Sequence, residues 1–89
     1  MVREGNSTLV QFIDSSSVRR QILGRLISGP MTPTELASLE NKHVSHVSRA
    51  LRELQDYGIV EPVRSRSRER YYQITTPGYL AFAALSRVG

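Results

Sequence analysis

The feature that most constrains the fold of this chain is a pair of short amphipathic segments separated by four polar residues, 40–43. In the second segment, residues 44–54, the apolar residues recur at three- and four-residue spacing and so form one stripe on a helix: Val44, Val47, Leu51 and Leu54. The opposite side is polar and partly cationic, with Ser45, Arg49, Arg52, Glu53 and Asp56, and with His46 beside them. Two helices joined by so short a turn predict a helix-turn-helix.

The first helix of the pair has a clear start signal. Residues 32–35 read Thr-Pro-Thr-Glu, which offers a Thr N-cap, a Pro at the first helical position and a Glu three residues on, a capping box. Asn41 can adopt the left-handed conformation that ends a helix. His43 is a weak N-cap, so the start of the second helix is less sharply defined.

Composition limits the class of protein. Eighty-nine residues with 39% hydrophobic content suit one domain with one modest core. The chain has no cysteine, which excludes disulfides and thiolate metal sites. No apolar run approaches the roughly 18 residues of a membrane span, and no signal peptide follows the polar start. We therefore expect a soluble, cytoplasmic protein.

The positive charge is concentrated in one third of the chain. Residues 42–70 contain seven of the twelve Lys and Arg residues and four of the eight acidic residues, so three of the four net positive charges lie there. A localised cationic surface favours a polyanionic partner.

Further elements are predicted on both sides of the motif. A helix over residues 16–28 follows a cap at Asp14 or one of the serines 15–17, and Gly29-Pro30 ends it. Its inner stripe is Val18, Ile22, Leu23, Leu26 and Ile27, and its outward residues are Arg19, Arg20 and Arg25. Met31 suits a very short strand. Residues 1–8 are polar and predicted to be frayed, and the sequence leaves open whether the apolar residues 9–13 pack on this domain or on a second subunit.

After the motif, Tyr57-Gly58 ends the second helix and a hairpin is predicted. Residues 59–64 and 70–75 read as antiparallel strands, with Pro62 indicating a short or edge strand and with Tyr72 and Ile74 facing the core. The polar residues 65–69 between them form the loop. On an extended chain the alternating Arg64, Arg66, Arg68 and Arg70 would share one side. A last, largely apolar helix is predicted over residues 77–88.

Several of these residues resemble the helix-turn-helix signature of bacterial and archaeal winged-helix transcription regulators of the MarR and ArsR type. The residues that carry the resemblance are Leu36-Ala37, Val47-Ser48-Arg49, Leu51, the run 54–60, and the run 72–78, which is similar to the family's "YxLTxxG" ending. The chain departs from the pattern at the turn, where Glu40 replaces an apolar residue and His43 replaces a Ser. The resemblance implies a hairpin "wing" and a regulator that binds duplex DNA.

The predicted fold is therefore an α+β, mostly helical winged helix-turn-helix domain with a two- to three-stranded antiparallel wing sheet and a C-terminal helix. One domain spans residues 1–89: an N-terminal extension (1–14), the helix-turn-helix (32–57), the wing hairpin (59–75) and the C-terminal helix (77–88).

The predicted DNA contacts divide by role. In this fold the second helix of the motif lies in the major groove, which places Ser45, His46 and Arg49 nearest the base edges. Lys42, Ser48 and Arg52 would contact the backbone, with His43 beside them at the helix start. The wing arginines Arg64, Arg66, Arg68 and Arg70 would reach phosphates or the neighbouring minor groove.

Other interpretations stay open. Arg49 and Arg52 could pair with Glu53 and Asp56 four residues on, as a solvated salt-bridge face. The fold also serves as a protein-interaction module in larger assemblies, and the Arg-Ser stretch raises RNA binding, although stacking aromatics are missing. His43 and His46 lack a third ligand, so no metal or other cofactor is expected, and no Ser, His and acid pattern indicates an enzyme.

A homodimer is predicted from the chain ends, because regulators of this kind usually pair two half-sites. The winged core would span residues 16–75, and the apolar residues outside it would form the interface across a two-fold axis: Leu9, Phe12, Ile13, Tyr79, Phe82 and Leu85.

Overall fold

Five helices and one two-stranded antiparallel sheet make up the described part of the domain. The computed structural model describes the backbone of residues 4–88 and the side chains of residues 8–85. The elements are α1 (Glu4–Asp14), α2 (Ser17–Leu26), α3 (Pro33–Glu40), α4 (Val44–Asp56), β1 (Val60–Val63), β2 (Tyr71–Ile74) and α5 (Thr76–Val88). The predicted α+β, mostly helical winged helix-turn-helix fold is confirmed. None of the described helices is long and apolar enough to cross a membrane.

The helix-turn-helix forms as its local sequence signals predict. The Thr32 hydroxyl accepts a hydrogen bond from the Glu35 amide at 3.1 Å, and the Glu35 carboxylate accepts one from the Thr32 amide at 3.0 Å. Asn41 ends α3 in the left-handed conformation, with φ 54° and ψ 51°. His43 occupies the N-cap of α4 without a side-chain hydrogen bond, as expected for a weak cap.

One core lies between the helices and the sheet. Val47, Leu51 and Leu54 of α4 are fully buried, so the stripe of this helix faces inward as predicted. Two stripe assignments were wrong: Val44 is 46% exposed and Ile27 is 42% exposed. Val44 is the first residue of α4 and Ile27 lies just beyond the end of α2, so neither lies in the packed middle of its helix.

Apolar residues at positions 9–13 belong to the core, and residues 4–8, which were predicted to be frayed, form the start of a helix. Helix α1 begins at Glu4 and packs against α5 and α2, while Met1 to Arg3 lie outside the described residues. Ile13 is fully buried and Ala81 of α5 is 2% exposed, so the core extends beyond residues 16–75 at both ends. The apolar residues 9–13, left unassigned by the sequence, thus pack on their own domain.

Arg19 was predicted to project outward, but its side chain is only 16% exposed. Helix α1 covers it, and the guanidinium carbon lies 3.7 Å from the centre of the Phe12 ring. That ring in turn stacks on Tyr57 just after α4, with 3.7 Å between centroids and 13° between planes. The Nε of Arg19 is buried and has no hydrogen-bond partner among the described residues.

The wing hairpin is anchored on the core and bends at its tip. Strands β1 and β2 pair antiparallel, Val60 opposite Ile74 and Val63 opposite Tyr71, and Met31 adds a bridge through two hydrogen bonds with Tyr72. Tyr72 and Ile74 pack against the core, as predicted. The chain leaves the strands at residues 64–70 and bends at 66–69, so the wing arginines do not alternate along an extended strand.

Candidate nucleic-acid interface

The polar front of α4 is an exposed surface opposite the buried stripe. Ser45, Ser48, Arg49 and Arg52 line one shallow, open depression, and His46 and Arg49 border a second one together with Ser16. All five of the α4 residues predicted to contact DNA are exposed. Because the helix repeats every 3.6 residues, burial of the stripe at 47, 51 and 54 necessarily turns this set outward together.

Lys42 and His43 of the turn lie at the start of this surface. Lys42 is half-buried, and its amide donates to the Ala37 carbonyl at 2.9 Å, which joins the turn to α3. The exposed His43 ring approaches His46 edge-on, with 5.8 Å between centroids. Among the described residues no three His, Cys, Asp or Glu side chains gather as a metal site.

Glu40, the residue that departs from the family signature, has a local partner. Its carboxylate pairs with the Arg25 guanidinium of α2, and the Glu40 side chain is only 12% exposed. An ion pair between α2 and the end of α3 thus occupies the position where an apolar residue is usual.

The charged residues on the front of α4 do not neutralise one another. Within the described residues the ion pairs are Arg19–Glu53, Arg20–Asp14 and Arg25–Glu40. The Arg49–Glu53 and Arg52–Asp56 pairs considered from the sequence are not formed. Both arginines of α4 therefore present uncompensated positive charge to solvent.

The wing supplies a second cationic segment. Arg64, Arg66, Arg68 and Arg70 are all exposed on the loop between β1 and β2. Two serines shape that loop, since the Ser65 hydroxyl accepts from the Ser67 amide at 3.1 Å and the Ser67 hydroxyl accepts from the Glu69 amide at 2.9 Å. Strand β1 packs against α4, so the wing and the front of α4 are carried on adjoining elements.

The residues predicted to form a dimer interface differ in how far their side chains are exposed to solvent. Ile13 is fully buried within the chain, and Leu9, Phe12, Phe82 and Leu85 are partly buried against the core. Tyr79 is 49% exposed, and its neighbour Leu80, which lies within the predicted segment 79–85, is 59% exposed. Tyr79 and Leu80, near the start of α5, thus offer the exposed apolar surface of this predicted interface.

The chain is similar to known proteins both in sequence and in structure. The family model described as a helix-turn-helix domain matches residues 15–63. No curated protein sequence matches the chain. Among solved structures, the chain is similar to a possible transcriptional regulator for arsenical resistance, with 32% identity and a TM-score of 0.70 over 85% of this chain and 78% of that one.

Two more distant structures have the same fold. The adhesin competence repressor AdcR from Streptococcus pyogenes is 19% identical with a TM-score of 0.75, and the match covers 82% of this chain and 56% of AdcR. A MepR variant from Staphylococcus aureus, solved bound to an oligodeoxyribonucleotide, is 18% identical with a TM-score of 0.77, over 96% of this chain and 67% of that one. The chain therefore spans little more than half of AdcR and two thirds of MepR.

Proposed function

This chain belongs to the helix-turn-helix domain family and has the winged-helix fold of the MarR-type transcription regulators, and from that premise we propose that it binds duplex DNA sequence-specifically to regulate transcription. The family and fold are those of transcription regulators rather than of enzymes. The observation that best supports the proposal is the front of α4, where two arginines without an ion-pair partner among the described residues lie opposite the buried Val47, Leu51 and Leu54.

The proposed contacts follow from the chemistry of each side chain. Helix α4 has 13 residues and enters the major groove, where Arg49 can donate two hydrogen bonds to a guanine edge and Ser45 and His46 lie beside it. Lys42, Ser48 and Arg52 contact phosphates on either side of the groove, with His43 at the start of the helix. The four wing arginines contact phosphates or the neighbouring minor groove. We also propose a cytoplasmic location, which is consistent with a DNA-binding regulator.

Substitutions in α4 and in the wing are expected to differ in how they change the preference for a specific DNA site over random DNA. Arg49→Ala is expected to weaken binding to a specific site by about 1–3 kcal/mol and binding to random DNA much less, because a base contact is lost. Arg66→Ala combined with Arg68→Ala is expected to weaken both kinds of binding more evenly. Fluorescence anisotropy with a selected duplex and a shuffled duplex measures both ratios. Unchanged selectivity in the Arg49 variant would show that α4 does not read the bases.

A homodimer is the form in which we propose that the chain binds two half-sites. The exposed Tyr79 and Leu80 of α5 are its contact residues, because both are accessible without disturbing the core. Phe12 and Phe82 are less suitable for a test, since Phe12 stacks on Tyr57 and Phe82 packs on the core. Replacing either with a charged residue would damage the fold itself.

We expect Tyr79→Glu combined with Leu80→Glu to give a folded monomer with weak operator binding, since two charges would have to be desolvated in the interface. Sedimentation velocity at micromolar concentration, with circular dichroism as the check on folding, measures the result. Thr76→Glu, at another exposed position of α5, is the control and is expected to leave the assembly unchanged. A wild-type chain that sediments at its monomer mass of 10.0 kDa without DNA would exclude the dimer.

A further inference from the structure

Glu53 has two possible partners, and the fold selects the distant one. It lies one helical turn after Arg49 on the front of α4, a spacing at which Arg and Glu side chains pair on exposed helices. In this structure its carboxylate instead accepts a hydrogen bond from Nη2 of Arg19 at 3.0 Å. Arg19 belongs to α2 and is 34 residues away in the sequence.

Arg19 is itself held rigidly. Its Nη1 donates to the Phe12 carbonyl at 2.8 Å and to the Ser15 hydroxyl at 2.9 Å, and its guanidinium lies over the Phe12 ring at 3.7 Å. The side chain is 16% exposed, compared with 43% for that of Glu53. A guanidinium fixed on three sides loses little further freedom when it binds a carboxylate, so it competes well against the flexible, exposed Arg49.

We propose that Arg19 is a positioning residue for DNA binding: by holding the Glu53 carboxylate, it keeps the guanidinium of Arg49 free for DNA. The inference rests on the proposed function and adds a residue that touches no DNA. Without Arg19, Glu53 can pair with Arg49, and its uncompensated negative charge also lies beside the surface that meets the phosphates. The junction between α1 and α2 thereby sets the charge that α4 presents.

The size of the effect follows from the strength of such pairs. In a chain without Arg19, an exposed Arg49–Glu53 ion pair is expected to be formed about twice as often as it is broken. Roughly a third of the Arg49 side chains would then be free to bind DNA. We therefore expect Arg19→Met, which keeps the aliphatic stem, to weaken duplex binding about threefold per subunit and up to about tenfold for a dimer. The duplex is one that the wild-type protein has selected from random-sequence DNA, and the affinity is measured by fluorescence anisotropy.

Arg20→Met is the matched control, because Arg20 is the next residue and also pairs with an acid, Asp14, at 3.2 Å. It removes the same charge but releases a carboxylate of α1 rather than one on α4. We expect its affinity to stay within about twofold of wild type, a change too small for loss of a specific contact. Equal losses in the two variants would mean that only net charge matters, and would overturn the inference.

Rescue separates positioning from a merely structural role. Adding Glu53→Gln to Arg19→Met removes the competing carboxylate and is expected to restore the affinity to within twofold of Glu53→Gln alone. In an Arg49→Ala background, Arg19→Met should cause a smaller loss than in the otherwise unaltered chain, because the Glu53 carboxylate can still repel phosphates but has no Arg49 with which to pair. If the double variant stays as weak as Arg19→Met while circular dichroism reports a folded chain, Arg19 does not act through Glu53.

If Arg19→Met fails to fold, the inference can still be tested with a variant that leaves Arg19 in place. In the otherwise unaltered chain, Glu53→Gln should change the affinity less than twofold, since Arg19 already holds that carboxylate away from Arg49. A rise of threefold or more would show that Glu53 competes for Arg49 in the wild type, and would overturn the inference while leaving DNA binding intact. Absence of duplex binding by the wild type would overturn the proposed function and the inference together.

Discussion

Gly78→Ala is expected to destabilise the domain by about 3 kcal/mol, at the upper end of the usual cost of overpacking. Gly78 is buried in the first turn of α5, against the end of the segment that leads into β1. A Cβ added there would collide with the carbonyl oxygen of Ile59 and would lie 2.8 Å from its Cγ2 and 3.0 Å from its carbonyl carbon. The carbonyl cannot easily move, because it accepts hydrogen bonds from the amide of Thr75 at 2.9 Å and from its hydroxyl at 3.0 Å.

Gly24→Ala is the matched control for that substitution. Gly24 is exposed on α2, and an added Cβ would meet only Cζ of Phe82, at an ordinary contact distance of 3.9 Å. Alanine is the better helix former, so this variant is expected to gain about 0.5–1 kcal/mol. Thermal and urea unfolding measure both changes, and about 3 kcal/mol corresponds to a fall in Tm of roughly 12–24 °C for a domain of this size. A Gly78→Ala variant as stable as wild type would show that α5 does not approach Ile59 this closely.

Affinity for duplex DNA is expected to fall about a thousandfold between 50 and 200 mM salt, if a dimer neutralises about six phosphates. Each subunit offers seven cationic residues in the turn, α4 and the wing: Lys42, Arg49, Arg52, Arg64, Arg66, Arg68 and Arg70. None of them forms an ion pair with another described residue, so each can displace counterions from DNA at no cost to an existing pair. Three contacts per subunit would require fewer than half of them.

The measurement is a log–log plot of the binding constant against salt concentration, whose slope is about −0.9 per phosphate. Replacing Arg66 and Arg68 with alanine should make the slope shallower by about 1.8 for each subunit in which both contact phosphates. A slope near zero, with tight binding maintained, would mean that the ligand is recognised without its phosphates. That result would contradict a DNA-binding role for this surface.

Much of the fold was predictable because its signals are local. The capping box at residues 32–35, the left-handed Asn41 and the apolar stripe of α4 each depend on residues within a few positions of one another. The same periodicity that buries the stripe also exposes Ser45, Arg49 and Arg52 together, so the front of α4 could be located without a structure. The order of the motifs then predicted the fold class.

The contacts that depend on distant residues were not predictable in this way. The sequence left open whether residues 9–13 pack on this domain or on a second subunit. It predicted that Arg19 projects outward, because the helical pattern of α2 contains no information about another helix that covers this side chain. The path of the wing loop also differed from the extended chain assumed, because serine hydroxyls bend it. The close approach of Gly78 to Ile59 is likewise visible only once α5 is packed.

The amino-acid sequence by itself thus determined the helix-turn-helix, the position of the wing and the cationic front of α4, since hydrophobic periodicity and capping act over one or two helical turns. Only the tertiary structure decided the place of α1 in the core and the partner of Glu53. Sequence spacing made Arg49 the nearer partner, but Arg19 is held in place by Phe12 and Ser15 and takes the carboxylate. The physical reason is conformational entropy: when two arginines can bind the same carboxylate, the one that the packed fold already immobilises loses less freedom on binding.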